Sequence, residues 1–369
     1  MARLGDLCRF INGDRGKNYP SQAEISSDGD VPFINAGHLV DGKLDFSDMN
    51  YISEEKYNQL NSGKIQENDV LYCLRGSLGK KAIIKGISKG AIASSLVIIR
   101  PDARLINSDY LFYALESPTV QEQMMQANNG SSQPNLSAKS VSDYTFNLPT
   151  INKQCEIVLK LAKVNDLISL RKEQLAKLDQ LVKSRFIELF GDPITNSNNL
   201  PTERMELRFN LKAGITTAAD DIHEFEEGMY EIPCYGGNGI RGYVREKSYT
   251  GNYPIIGRQG ALCGNVQYAT GEFHATEHAV LVSLLKNDNS VWVYHLLKLM
   301  DLFRYHTGAA QPGLAVKTLN TVEVIVADKR KQDQFAAFVE QTDKSKLAIQ
   351  QSLEKLELLK KSLMQEYFG

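Results

Sequence analysis

From Ile157 onward apolar positions recur every seven residues at Leu161, Ile168, Leu175, Val182 and Leu189, and Ile157, Val164, Arg171, Leu178 and Arg185 form a second register. The pattern predicts a long helix with a coiled-coil seam interrupted by two arginines. A second such stretch places Phe335, Val339, Ile349, Leu353, Leu356 and Leu363 at equivalent positions, with Thr342, Lys346 and Lys360 as weaker points. Neither helix can bury its stripe alone. Gly191-Asp192-Pro193 stops the first, and Phe368-Gly369 stands at the same point of the second pattern. At about 1.5 Å per residue, some 38 residues give a rod of roughly 57 Å.

The two stretches are copies. GSSQPNLSAKS from Gly130 matches GAAQPGLAVKT from Gly308, and an offset of 178 residues then holds without a gap to Phe190-Gly191 and Phe368-Gly369, with 16 identities in 62 positions. Lys153-Gln154 recurs as Lys331-Gln332, and LxKLxxLxKS recurs at Leu175 and Leu353. An internal repeat of this size makes the unit, not the chain, the object to explain. The most natural partner for each helix is the other one, packed antiparallel around a pseudo-twofold axis, because one chain supplies both at high effective concentration. Generic core helices or a homodimerising coiled coil are the alternatives.

Upstream of each helix the pattern changes to short runs rich in Val, Ile and Tyr, bounded by Gly or Asn, which predict strands and tight turns. VPFINAGHLVDGKLDF from Val31, VLYCLRGSLGKKAII from Val70 and IASSLVIIRP from Ile92 correspond loosely to IPCYGGNGIRGYV from Ile232, PIIGRQGALCGNV from Pro254 and TEHAVLVSLL from Thr276. FINAGHLVDGKLDF is expected to share the strand, turn and strand outline of CYGGNGIRGYV. One helix follows in each half, from Asn107-Ser108 and from Asn289-Ser290, with the asparagines as N-caps and Asp109 favourable to the first helix dipole. Each half is therefore a mostly β domain with a helix, then a Q-P-x-L loop, a strand and a long helix.

Charge and cysteine content narrow the field. A net charge of −2 gives no global attraction for a polyanion, so any nucleic-acid contact must be local. Between Leu71 and Arg100 there are Arg75, Lys80, Lys81, Lys85, Lys89 and Arg100 and no acidic residue. Such a run is either a DNA-facing patch or a solvated face. The five scattered cysteines read as buried thiols, and the absence of a signal-like or membrane-spanning apolar run places the chain in the cytosol.

Enzymatic signatures are missing. GDRGKN from Gly13 lacks P-loop spacing, NLPT at Asn147 is not an adenine-methyltransferase N-P-P-[YFW] motif, and G-x-S-x-G is absent. His274 and His278 fall where the first half has a strand, which would put them about 13 Å apart and argues against a metal site. Gly237, Gly239 and Gly242 have G-x-G-x-x-G spacing, but YVREKSYTGNYP follows where a dinucleotide loop needs a helix, and no acidic residue stands about 20 positions on.

With IPCYGGNGIRGYV, IIGRQGALCGNV, GAAQPGL and SRFIELFGDP in this twice-repeated order, the chain resembles the specificity subunits of type I restriction-modification enzymes. The resemblance implies an α+β fold of two pseudo-twofold-related, mostly β target-recognition domains, at residues 1–150 and 195–328, separated by two long antiparallel spacer helices at 151–191 and 329–369. It implies a non-catalytic subunit that binds double-stranded DNA, each domain reading one half of a bipartite, asymmetric sequence, and no membrane. Two modification subunits would methylate adenine at N6 with S-adenosylmethionine, and two restriction subunits would use ATP and Mg²⁺; this chain itself would bind no cofactor and no metal. In the first domain, Arg75 and Ser77 are expected near base edges and Lys80, Lys81 and Lys85 on phosphate. In the second, Tyr235, Asn238, Arg241, Arg258 and Gln259 are the base-edge candidates, with Arg245 and Lys247 as phosphate partners. Gln133, Lys139, Gln311 and Lys317 of the Q-P-x-L loops are expected to share one task, either phosphate contact or packing of domain on spacer. A duplicated coiled-coil scaffold that binds proteins, or the specificity subunit of a related system whose partner both methylates and cleaves, are the rival readings.

Overall fold

The structure, a computed structural model, describes residues 1–128, 134–308 and 312–369. It divides into two compact units, Met1–Leu170 with Ser352–Gly369, and Arg171–Gln351. In the first unit a four-stranded antiparallel sheet has the order Cys8–Asn12, Leu96–Pro101, Val70–Cys73, Lys81–Ile83. In the second, Phe209–Ala213, Ala279–Leu284, Tyr253–Gly257 and Val266–Ala269 repeat that order.

Both faces of each sheet are covered, which is why the central strands read as continuous apolar runs. Side chains alternate across a strand. Val70, Tyr72, Val97 and Ile99 therefore pack with Leu111 and Leu161, and Leu71, Cys73, Leu96 and Ile98 pack with Ile34 and Ala82 on the other side. In the second unit Ile256, Val280 and Val282 face Trp292 and Phe335, whereas Ile255, Ala279 and Leu281 face Phe273.

A smaller parallel pair flanks each sheet, Val31–Ile34 with Ala91–Ile92 and Ile232–Gly236 with Glu272–Ala275. Here the halves diverge from the expected common hairpin. Ile232–Gly236 turns directly back into Gly239–Val244, but Val31–Ile34 takes Tyr51–Ile52 as its antiparallel neighbour, and Leu39–Val40 pairs with Lys43–Leu44 in a separate ribbon.

Asn107 and Asn289 cap the following helices, each accepting from two backbone N–H groups. Both helices are short. Ser117 and Pro118 end Ser108–Ala114 and start a second helix, Pro118–Ala127, and Ser290–Leu299 is followed by a single turn, Leu302–Tyr305. The repeated Lys-Gln pair acquires a reason. Gln154 is wholly buried, accepts from Asn107 N at 2.8 Å and donates to Pro149 O at 2.9 Å. Gln332, 1% exposed, repeats this with Asn289 N at 2.8 Å and Ala327 O at 3.0 Å.

The long helices run Ile151–Phe190 and Lys329–Phe368. In the first unit Ile157 and Leu161, near the start of one, share a core with Met364 and Phe368 at the end of the other. In the second unit Val182, Phe186 and Phe190 share a core with Phe335 and Val339. Start meets end in both, which is antiparallel pairing. Phe190 and Phe368 enter the domain cores themselves, Phe190 at 5.7 Å from Trp292 and Phe368 at 5.0 Å from Tyr110 between ring centroids. Cys8 is half-buried, and Cys73, Cys234 and Cys263 are buried, but Cys155 lies exposed on the first long helix, contrary to a uniform set of buried thiols.

Candidate nucleic-acid interface

The second central strand of each sheet ends in a tight turn held by the Q-P-x-L segment. In the first unit Gly76 N donates to Pro134 O at 3.3 Å, Leu136 N donates to Leu74 O at 2.8 Å, and Arg75 bridges Asn135 in antiparallel fashion. In the second, Gly260 N donates to Pro312 O at 3.0 Å, Leu314 N donates to Arg258 O at 2.8 Å, and Gln259 bridges Gly313. Leu136 and Leu314 anchor the segments at 3% and 1% exposure. Gly76 and Gly260 have φ of 78° and 71°, the left-handed region that favours glycine, and a Cβ on either would meet no atom of the described residues. The clamp fixes the correspondence between halves. Gln259 matches Arg75, and Arg258 matches the buried Leu74.

The sequence showed the Q-P-x-L repeat but not its partner, because the pairing spans some 50 to 60 residues and is made by backbone groups. Gln133 and Gln311 lie outside the described residues. Lys139 and Lys317 follow the clamp on the short helices Ala138–Ser142 and Val316–Asn320, and both are exposed. Lys139 stands 3.7 Å from Asp143, which also binds Arg3.

The basic run of the first unit is largely neutralised by the fold. Lys81 Nζ is 3.5 Å from Glu116 and 4.5 Å from the centre of the Phe112 ring, its side chain only 11% exposed. Burial lowers its pKa from the ordinary lysine value, with Glu116 acting in the opposite sense. Glu116 also takes Lys360 at 2.7 Å; burial opposes its ionisation, but the two lysines carry it below the usual carboxylate range. Lys85 bonds Asn68 at 2.8 Å and Asp109 at 3.2 Å, at the far end of its strand from the turn. Lys89 pairs with Glu54, and Arg100 makes two 2.8 Å bonds to the buried Asp69. Arg75 and Lys80 have no ion pair among the described residues; Arg75 and Ser77 are exposed, and Lys80 is half-buried. The turn thus brings Arg75, Ser77 and Lys80 together, and the fold directs Lys81 and Lys85 to acidic partners.

In the second unit two turns meet. Asn265 Nδ2 donates to Asn238 Oδ1. A Cβ on Gly257 would lie 2.2 Å from Gly237 O, so the backbones touch and a side chain is excluded there. The glycine-rich spacing therefore serves a hairpin packed on a neighbouring turn. The pairing of Ile232–Gly236 with Gly239–Val244 slips at Cys234/Tyr235, leaving Arg241 as the extra residue of a bulge, exposed and without an ion pair among the described residues. Gln259 is likewise exposed. Tyr235 instead packs edge-on at 5.6 Å from Phe273, and burial raises its pKa. Arg258 is half-buried, its Nε buried without a hydrogen bond among the described residues. Arg245 lies over the Tyr230 ring and donates to its hydroxyl at 2.7 Å, and Lys247 pairs with Glu272; neither partner had a sequence signal.

His274 is held by hydroxyls on both nitrogens, Thr217 Oγ1 at 2.8 Å and Ser248 Oγ, and burial lowers its pKa. His278 is 3.2 Å from Glu277. Among the described residues no group of three or more His, Cys, Asp or Glu is placed to hold a metal ion, and no helix is long and apolar enough to cross a membrane.

Comparison with known proteins adds the following. A family model described as a type I restriction modification DNA specificity domain matches residues 1–180 and 209–359. The specificity subunit of the Escherichia coli type I restriction enzyme EcoprrI is 48% identical over 133 residues, 36% of this chain and 33% of that protein. The HindI specificity subunit of Haemophilus influenzae is 21% identical over 252 residues, 63% of this chain and 54% of that protein. The matches thus span from about a third to about half of those relatives' length. Among solved structures, the type I restriction-modification S subunit from M. genitalium superposes with a TM-score of 0.64 at 16% identity, covering 100% of this chain and 95% of that one. A chain from a structure concerned with complex assembly and conformational transition of the type I R-M system gives 0.59 at 15% identity, covering 99% and 96%. At such identities the structural likeness is one of fold.

Proposed function

The chain belongs to the type I restriction-modification DNA specificity family, and on that premise we propose that it is a non-catalytic subunit reading a bipartite, asymmetric DNA sequence for partner subunits that modify and cleave. The observation that carries this is the duplicated clamped turn. One frame, built twice with the same three backbone contacts, presents different exposed side chains in the two units. Two readers with unlike side chains fit two unlike half-sites.

The division of labour follows from what recurs. Lys139 and Lys317 are the same residue at the same place in both halves, which suits contact with a phosphate backbone that is itself sequence-independent. Arg75, Ser77, Asn238, Arg241 and Gln259 differ between the halves and suit base edges, where Arg favours guanine and Asn or Gln favours adenine. Lys80 borders the first of these turns and is assigned to phosphate, as are Arg245 and Lys247, which follow the end of Gly239–Val244 opposite the Asn238 turn. We assign the distance between half-sites to the long helices, whose length exceeds the roughly 34 Å of one DNA turn.

The partners are two modification subunits, which methylate adenine N6 with S-adenosylmethionine, and two restriction subunits, which use ATP and Mg²⁺, all in the cytoplasm with the DNA. The ion pairing of Lys81, Lys85, Lys89 and Arg100 and a net charge of −2 fit a subunit that leaves much of the enclosure of DNA to them. The same charge pairing favours the rival reading of a protein scaffold. Selection of random duplexes by the complex of this chain with its modification subunit separates the two: the DNA reading expects enrichment of one split, asymmetric motif, and a scaffold gives no more enrichment than the modification subunit alone.

A further inference from the structure

We infer that Arg75 and Gln259 are matched specificity-determining residues, reading a guanine in one half-site and an adenine at the corresponding position of the other. This rests on the DNA reading above and deepens it. Both residues occupy the same place in the clamp, one residue before the left-handed glycine and opposite Asn135 or Gly313. Below them the frame is fixed in both units by the same backbone hydrogen bonds. On the residue that follows each, Gly76 or Gly260, an added Cβ would meet no atom of the described residues within 4 Å.

Both side chains are exposed, and neither head group has a hydrogen bond or ion pair among the described residues. Most other cations of the first unit's basic run, Lys81, Lys85, Lys89 and Arg100, are held by acidic partners. A turn fixed by backbone hydrogen bonds and carrying an uncommitted planar guanidinium or carboxamide is organised to receive a planar ligand edge. The two residue types then differ in the way that bases differ: the guanidinium fork matches guanine O6 and N7, and the carboxamide matches adenine N6 and N7. A change of side chain on an unchanged frame should change the base read and little else.

The test is the same duplex selection on complexes containing Arg75→Gln and Gln259→Arg. In wild type one half-site should carry a strongly preferred guanine and the other a strongly preferred adenine at the corresponding position. Arg75→Gln should replace guanine by adenine there, a shift in preference of about ten- to a hundred-fold, with the other half-site unchanged. Gln259→Arg should make the converse change in the other half. A wild-type split motif that both variants retain would overturn the inference and leave the DNA reading standing. So would uniform weakening across all sequences with no change of base preference, the signature of a phosphate contact. If the wild-type complex selects no split motif, the underlying DNA reading itself fails. Melting temperature of each variant checks folding, and the two variants lie in different units, so a misfolded one leaves the other to decide.

Discussion

Gln154 and Gln332 are each a buried amide joining the loop before the capped helix to the start of a long helix. Removing one leaves the N–H of Asn107 or Asn289 and a carbonyl oxygen without a partner away from water. Gln154→Ala and Gln332→Ala should each cost about 2–3 kcal/mol, measured as a lower melting temperature; a change within experimental error would show that water replaces the amide. His295 gives a pH dependence of known sign. Half-buried and 5.2 Å from the Phe335 ring centre, it has its pKa pushed down to about 3, by burial first and then by Lys298 and Lys346. The unfolded chain protonates near pH 6.5 and the folded unit does not, so the stability this neutral ring confers above pH 6.5 declines as pH falls from there toward 3. The loss reaches at most about 2 kcal/mol by pH 5. Melting curves of His295→Phe should be flatter than wild type over that window; parallel curves would contradict the assignment.

At the scale of the element, the ends of the long helices act as plugs. Phe190 contacts Trp292, the sole tryptophan, and Phe335, and Phe368 contacts Tyr110. Phe190→Ala should destabilise the second unit by about 3–5 kcal/mol, seen as a lower midpoint for the tryptophan emission shift. Phe368→Ala should do likewise for the first unit, seen as faster amide exchange in Ser108–Ala114. The helices themselves were legible because a seven-residue period survives two arginines. Phe186 and Phe190 were not, since they step by four out of the seam to reach a domain core. The capping asparagines and the sheet strands were also legible, being local signals. The Val31–Ile34 pairing was not, because its partner Tyr51–Ile52 is fixed by tertiary packing. Of the candidate site, the turns could be read from their glycines and cations. What the sequence could not show is which cations remain free: Glu54, Asp109 and Glu116 meet Lys89, Lys85 and Lys81 from 24 to 35 residues away.

For the whole molecule, the fold ties Lys81, Lys85, Lys89 and Arg100 of the basic run to acidic partners and leaves few cations at the two clamped turns to meet a polyanion. The chain alone should bind duplex DNA weakly, with a log–log salt slope on the order of 4, and the assembled complex should show a steeper one. A slope near 10 for the isolated chain would mean that the observed ion pairs open on binding. Replacing residues 195–328 by the matching domain of another family member should change one half of the target and leave the other intact; a change in both halves would refute the assignment of one reader to each unit. The most direct measurement is a genome-wide map of N6-methyladenine in cells expressing this chain with its cognate modification subunit. The account predicts a single motif of two unlike half-sites separated by a fixed number of unread bases. An assembled, catalytically active complex that methylates no motif, or a contiguous or symmetric one, would contradict it.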